Sequence, residues 1–158
     1  MASRRKGRVL AFQALYAWEA NKSPAAAVGN ASLGPSSSAA DFAWLDTDKK
    51  AALDDATSAF AKLLVMGTLE NVEKLDALIR KHLKNWDFSR LNRVDLALIR
   101  MSAYSLVYQD DVPPSIVIDE AIDIAKEYGT DDSYRFVNGV LDGIRKTVQA
   151  GDGPATTS

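Results

Sequence analysis

The chain has 158 residues, 47% of them hydrophobic and 25% charged, which is the composition of a globular domain and not of a disordered segment. It contains no cysteine, which excludes disulfides and thiolate metal sites, and no apolar run approaches the roughly 18 to 20 residues that span a bilayer. The net charge is only −2, but residues 1–8 carry four cations and no acid, whereas residues 110–132 carry eight acids and one base. This separation predicts two surfaces with different partners.

The first predicted helix covers residues 4–21, where apolar residues recur with the helical period behind a basic start. Gly7 is expected to let the first turn fray, because glycine costs about 1 kcal/mol relative to alanine in a helix. From its residues alone, the basic start fits a solvated tail and a phosphate-binding tail equally well. It has no apolar signal-peptide region, so we expect a cytoplasmic protein. Residues 22–47, rich in Ala, Ser, Gly and Pro, predict a variable connector without an assigned function.

Residues 49–83 predict one long helix with a broad apolar face, in which Gly67 marks a close packing point or a bend. His82 is the only histidine and has no partner set for a metal, so we assign it neither a metal nor a catalytic role. After a break at residues 86–89, another helix continues to about Gln109. Three arginines of this segment are expected on an ordinary solvated face: Arg90, Arg93 and Arg100.

Pro113 and Pro114 predict the start of the next helix, since proline presets φ and its missing N–H is not needed in a first turn. This helix has an apolar stripe opposite an acidic face, and Gly129 is expected to end it in the left-handed conformation. The final helix follows, with a cap provided by Asp131, Asp132 or Ser133. No stretch alternates with a period of two, so the chain is predicted to be all-α, a bundle of about six or seven helices.

The sequence contains none of the common motifs of enzymes. There is no phosphate-binding glycine loop, nucleophile elbow or zinc-protease helix. The absence of cysteine and the single histidine also exclude the most common thiol and acid–base catalytic groups. The acidic helix face is more often solvated than catalytic. We therefore expect a binding protein and not an enzyme, without catalytic residues, metal or cofactor.

Three separated segments resemble a known family. They are RRKGRVLAFQALYAWE near the start, NRVDLALIRMSAYSL in the middle and IVIDEAIDIAKEYGTDDSYRFVNGVLDGI near the end. In this order they resemble the NusB family of bacterial transcription antitermination factors, and the resemblance covers nearly the whole chain except residues 22–47. It implies one RNA-binding helical domain over residues 1–150, with two helical sub-bundles, followed by a polar tail at residues 151–158.

NusB proteins bind the boxA element of nascent RNA, which implies an RNA-binding surface in this chain. Single-stranded RNA is held through phosphate contacts and through bases that stack on aromatic side chains. The resemblance assigns phosphate contacts to Arg4, Arg5, Lys6 and Arg8. It places Gln13, Tyr16 and Phe136 next to bases, Arg135 at a basic position of the motif, and Asn138 as a further candidate. By residue type and spacing alone, Tyr16 and Phe136 are more often core residues.

The family also pairs with NusE, a basic protein of the small ribosomal subunit, and the acidic side of this chain fits such a partner. The resemblance assigns that contact to Asp95 and Asp132, with Glu120 as a neighbour. Opposite charge speeds encounter and fixes orientation more than it adds affinity. The implied function is a scaffold: RNA and NusE occupy adjoining surfaces, and the assembly joins RNA polymerase to suppress termination in ribosomal RNA transcription.

Two other functions fit parts of the sequence. A NusB-like domain also forms the N-terminal part of some ribosomal RNA cytosine methyltransferases, although the polar end of this chain counts against a following cofactor domain. The other alternative is a helical protein-interaction module whose basic start is inert. The apolar residues of the first helix fit an intramolecular core and the seam of a homodimer equally well.

Overall fold

A computed structural model describes residues 4–20, 55–83 and 87–150 of the chain. Within these ranges the backbone forms six α-helices and a short 3-10 helix at Phe88–Arg90, and no β-strand. The helices are α1 (Arg4–Ala20), α2 (Asp55–Glu70), α3 (Val72–Arg80), α4 (Arg93–Tyr108), α5 (Pro114–Tyr128) and α6 (Ser133–Gln149). The all-α prediction is confirmed, whereas the predicted connector at residues 22–47 and the polar tail at 151–158 lie outside the described residues.

None of the helices in the described ranges combines the length and the apolar character that crossing a membrane requires.

The chain divides into two compact units, Met1–Glu70 and Asn71–Ser158, and in the first of them α1 packs against α2. The two helices come close together at Gly7, where an added Cβ would lie 2.6 Å from Cδ2 of Phe60 and 3.5 Å from the carbonyl oxygen of Thr57. A larger residue at this position would have to displace the aromatic ring. Gly7 therefore serves helix packing, and α1 is helical from Arg4 onward despite it.

In the second unit α4 packs against α3, α5 and α6, and α5 also packs against α6. Residues 95–106 of α4 are all buried, as expected for a helix covered on every side. The predicted stripe of α5 is confirmed, since its buried residues are Val117, Ile118, Ala121, Ile124 and Ala125. The core of this unit thus consists of α4 and the apolar faces of its neighbours.

Of the single long helix predicted over residues 49–83, residues 49–54 lie outside the described part. Over 55–83 the prediction is wrong, because the chain leaves the helical conformation at Asn71. There φ is −113° and ψ is 14°, so α2 ends one residue earlier and α3 begins one residue later. Asparagine competes for backbone hydrogen bonds and is a poor helix former. Gly67, the predicted packing point or bend, lies buried within α2.

The solvated position predicted for Arg100 is also wrong, whereas Arg90 and Arg93 are exposed as expected. The Arg100 side chain is 4% exposed and forms two parallel hydrogen bonds with Asp76 of α3, from Nε to Oδ1 and from Nη2 to Oδ2, each 2.9 Å long. Its guanidinium carbon lies 5.8 Å from the centre of the Phe88 ring. This buried ion pair joins α3 to α4.

The junction of α5 and α6 differs from its prediction in two respects. Gly129 ends α5 in an extended conformation, with φ −95° and ψ −171°, and not in the left-handed one. An added Cβ there would lie 2.5 Å from Oγ of Ser133, so close packing explains this glycine. Asp132 occupies the N-cap position of α6 without a capping hydrogen bond from its side chain, and instead Oγ of Ser133 accepts a 2.9 Å bond from the backbone N–H of Thr130.

Candidate functional site

The first turns of α1 present a basic surface formed by Arg4, Arg5 and Lys6, all of them exposed. Arg8 differs from these three, since it is only 1% exposed and its guanidinium carbon lies 5.6 Å from the centre of the Phe60 ring. The physical reason is the close approach of α1 and α2, which brings this ring beside the helix. The structure thus places Arg8 in the packing of α1 and not on the surface with the other three cations.

Two further candidates of α1 lie beyond the basic surface. Gln13 is half-buried and Tyr16 is 39% exposed, so the aromatic ring is not a core residue. They are three positions apart, which places them on neighbouring parts of the same helix face. A cationic start followed by an accessible aromatic ring on one helix is an arrangement suited to a nucleic-acid strand, since cations hold phosphates and rings hold bases.

The first turns of α6 carry the other predicted RNA contacts. Arg135 and Asn138 are exposed and Phe136 is half-buried. Nε of Arg135 donates a 3.0 Å hydrogen bond to the hydroxyl of Tyr134, whose ring also has Nζ of Lys126 at 5.1 Å from its centre. Two cationic side chains therefore contact Tyr134. The prediction missed this cluster because Lys126 comes from the end of α5.

A cleft of about 520 Å³ lies along α6. It brings Arg135 and Phe136 together with residues that were not predicted, and Asn138 is not among its lining residues. One of these additions is His82, beyond the end of α3, whose Nε2 lies 3.1 Å from Oγ1 of Thr147. The lining residues are His82, Arg135, Phe136, Gly139, Val140, Asp142, Gly143 and Lys146.

The helix side of this cleft has a signal in the sequence. Counted from Arg135, the lining positions of α6 include i+4, i+7, i+8 and i+11, which is the spacing of one helix face. Two of them are glycines, an unusual choice in the middle of a helix. His82 could not have been added from the sequence, because it lies more than fifty residues away in the chain.

The three residues predicted to contact a basic protein partner have different surroundings. Asp132 is exposed, Glu120 is half-buried, and Asp95 is only 6% exposed. Nδ2 of Asn92 donates a 3.1 Å hydrogen bond to Oδ2 of Asp95, while the Asp95 backbone N–H donates a 2.8 Å bond to Oδ1 of Asn92. This reciprocal pair caps the start of α4, a structural role that the resemblance did not imply.

Burial dominates the electrostatics of Asp95. It raises the pKa of this carboxyl above its ordinary value, and hydrogen bonds from Ser133 and Asn92 lower it in part. Since Ser133 opens α6, Asp95 links the start of α4 to the start of α6. Asp95 therefore lies next to the residue at which α6 begins.

The described residues contain no group of three or more His, Asp or Glu side chains that could hold a metal ion. The acidic face of α5 is exposed at three positions, and these carboxylates form no cluster with a histidine. Their arrangement suits contact with a basic surface through long-range charge. These exposed residues are Asp119, Asp123 and Glu127.

Comparison with known proteins places these features in a family. A model of the NusB family matches residues 5–146 of the chain. The transcription antitermination protein NusB of Treponema denticola is 49% identical over 142 residues, which cover 90% of this chain and 95% of that protein. Among solved structures, T. maritima NusB matches with a TM-score of 0.76 at 33% identity, covering 92% of this chain and 93% of that one.

A second solved structure adds information about partners. The crystal structure of the antitermination factors NusB and NusE in complex with dsRNA contains a chain that matches with a TM-score of 0.74 and 26% identity. The match covers 91% of this chain and 96% of that one.

Proposed function

The chain belongs to the NusB family, and we propose on that basis that it is a transcription antitermination protein that binds boxA-type RNA together with NusE. The observation that carries the proposal is the family match over residues 5–146, which includes every residue of the two surfaces described above except Arg4. The protein acts by binding and is not an enzyme. We take residues 1–150 as its single functional domain.

The RNA surface is proposed to use two parts of the chain. In α1 the exposed cations Arg4, Arg5 and Lys6 hold phosphates, and Tyr16 offers an accessible ring to a base. In α6 Arg135 and Phe136 play the same two roles, with Gln13 and Asn138 as additional polar contacts. Arg8 is assigned a supporting role. Because its side chain is buried, we expect it to stabilise the packing of α1 and not to contact RNA directly.

The NusE surface is proposed to centre on Asp132, which is exposed at the start of α6. Glu120 adds charge from α5, and the buried Asp95 is assigned the role of positioning Ser133 at the start of α6. Negative potential on this side would steer a basic partner into place and accelerate association. This role explains why the acids of the chain are concentrated in residues 110–132.

The proposed mechanism is that of a scaffold. RNA and NusE bind adjoining surfaces, the heterodimer holds boxA RNA more firmly than either protein alone, and the assembly joins RNA polymerase to suppress termination. A cytoplasmic location follows from this role, since nascent bacterial RNA and ribosomal proteins meet there.

The test is fluorescence anisotropy of a labelled boxA RNA and a scrambled RNA of the same length, titrated with and without NusE at two salt concentrations. A variant with Arg4, Arg5 and Lys6 changed to Gln removes three cations from the proposed surface. Its matched control removes the same charge from other exposed positions by changing Lys62, Lys74 and Arg90 to Gln.

We expect NusE to tighten binding to boxA RNA more than binding to the scrambled RNA. Each phosphate contact on a single strand contributes about 0.7 to the slope of log affinity against log salt. The variant without the charges of Arg4, Arg5 and Lys6 should therefore lower the magnitude of that slope by about 2. The control variant should keep the slope close to that of the unmodified protein. Equal, weak binding of both RNAs in the presence of NusE would refute the RNA function and leave a helical protein-interaction module.

A further inference from the structure

A second stretch of the chain, away from α1, concentrates positive charge. Residues 80–93 carry five cations and a single acid, although the whole chain has a net charge of −2. The acid is Asp87, whose Oδ1 accepts a 3.1 Å hydrogen bond from the backbone N–H of Ser89. The end of α3, the 3-10 helix and the start of α4 thus form a cationic surface, called the 80–93 surface below. Four of its cations lie in the described residues and are exposed: Arg80, Lys81, Arg90 and Arg93.

Phe88 joins the end of α3 to the 3-10 helix in this surface. The guanidinium carbon of Arg80 lies 4.4 Å from the centre of the Phe88 ring, and Phe88 opens the 3-10 helix that ends at Arg90. A guanidinium group stacked on a ring has a fixed position, and its N–H groups point outward in the plane of the stack. The guanidinium of Arg100 lies 5.8 Å from the centre of the same ring. Since two guanidinium groups already contact this ring, the surface offers a ligand charge more than a face for stacking.

The stability of the helices accounts for only part of this charge. Arg80 and Lys81 lie at the C-terminal end of α3, where the helix dipole favours cations. Arg93 is the first residue of α4, and a cation at a helix N-terminus is unfavourable for the same reason. Within the described part of the chain, neither Arg90 nor Arg93 forms an ion pair with an acidic side chain. An anionic ligand from outside the chain explains these two arginines better than the fold does.

Two observations favour RNA as this ligand. NusE, the protein partner proposed above, is basic and is assigned to the acidic side of the chain, so like charge would keep it away from the 80–93 surface. The 80–93 surface also continues toward the α6 cleft, because His82 follows Lys81 directly and lines that cleft together with Arg135. An RNA strand that passes Arg135 can therefore continue over the end of α3.

We propose that the 80–93 surface binds the phosphates of nucleotides that flank boxA in the transcript. The proposal rests on the RNA function proposed above and adds a second contact to it, outside the boxA element. Cations that contact phosphates hold the strand and fix its course but carry no sequence information. The 80–93 surface thus lengthens the bound segment of RNA without adding a sequence preference.

The first experiment measures what the flanking nucleotides contribute. Fluorescence anisotropy in the presence of NusE compares boxA RNA alone with boxA RNA extended by oligouridine on its 5′ or its 3′ side. Two phosphate contacts on one of these sides should steepen the slope of log affinity against log salt by about 1.4, so a fourfold rise in salt should cost the extended RNA about sevenfold more affinity. An extension of abasic ribose phosphates on the same side should behave like oligouridine, because the contact involves no base.

The second experiment removes the cations. In Arg80→Gln with Arg90→Gln, the extension should add nothing to the affinity or to the slope. BoxA RNA alone should bind this variant as it binds the unmodified protein, which also shows that the variant is folded. Arg80→Lys with Arg90→Lys keeps both charges and should keep most of the steeper slope. The matched control, Lys62→Gln with Lys74→Gln, removes two exposed charges outside residues 80–93 and should leave the gain intact.

The outcomes separate this proposal from the RNA function. If neither extension steepens the slope, the 80–93 surface does not bind RNA, while selective binding of boxA RNA with NusE still supports the RNA function. If oligouridine raises the affinity and the abasic extension does not, bases are read and the phosphate contact is refuted. If the Gln variant keeps the gain but binds RNA polymerase less tightly, the surface serves an acidic protein and the proposal is again refuted. If boxA and scrambled RNA bind equally weakly with NusE present, the RNA function fails and this proposal fails with it.

Discussion

Removal of Asp76 should destabilise the second unit strongly, because the buried Arg100 guanidinium would lose the two hydrogen bonds that it donates to this carboxylate. The two side chains are 4% and 13% exposed and share two hydrogen bonds of 2.9 Å. Breaking a buried pair by deleting one member typically costs 3 to 5 kcal/mol. Since the carboxylate retains some access to water, we expect the lower end, about 3 kcal/mol, for Asp76→Ala. In a chain of this size that corresponds to a loss of about 6 to 12 °C in melting temperature.

The assay is urea denaturation followed by circular dichroism, with thermal melts as a second measurement. Glu73→Ala removes an exposed acid from the same helix and should change the free energy of unfolding by no more than about 0.5 kcal/mol. The double variant Asp76→Leu with Arg100→Met replaces the pair by apolar groups and should recover most of the loss. A cost below about 1 kcal/mol for Asp76→Ala would refute the reasoning, and so would a double variant less stable than the single one.

Two further predictions concern the remaining buried contacts. Gly7→Ala should destabilise the protein by about 1 to 3 kcal/mol in urea denaturation despite the better helix propensity of alanine, because the added Cβ would overlap the Phe60 ring. Gly139→Ala should be stabilising, because an added Cβ at Gly139 would meet no atom within 4 Å. Equal effects of the two changes would contradict this reasoning. Burial raises the pKa of Asp95, so the folded state holds that proton more firmly and stability falls as pH rises from about 4 through the raised pKa. Asp95→Asn lacks this ionisation, so the stability of the variant relative to the unmodified protein should increase across that pH window and stay constant above it. A stability difference independent of pH would count against a raised pKa of Asp95.

The parts of the fold that could be predicted from the sequence are those with strong local patterns. The start of α5 at Pro114 and its buried stripe follow from proline geometry and apolar spacing within fifteen residues. The end of α4 at Tyr108, one residue before the predicted end near Gln109, follows from an apolar pattern that stops there. In these segments the local preference and the tertiary packing favour the same structure, so the prediction succeeds.

Several errors occurred where a distant residue decides the outcome. Arg100 carries no local sign of burial, because its partner Asp76 comes from another helix 24 residues earlier. Arg8 likewise resembles its basic neighbours in the sequence, and its burial beside Phe60 of another helix has no local sign. The cleft was missed for the same reason, since the spacing on α6 shows one side of it and His82 provides the other.

The first turn of α6 joins two surfaces that the proposal assigns to different ligands. The backbone N–H of Phe136 donates a 3.2 Å hydrogen bond to the carbonyl oxygen of Asp132, so a backbone hydrogen bond joins the residue proposed to contact RNA to the residue proposed to contact NusE. When two ligands bind to coupled sites, each of them changes the affinity for the other by the same factor. Whatever factor NusE contributes to the affinity for RNA, RNA therefore contributes to the affinity for NusE, and a transcript that carries boxA would itself recruit the ribosomal protein to the complex.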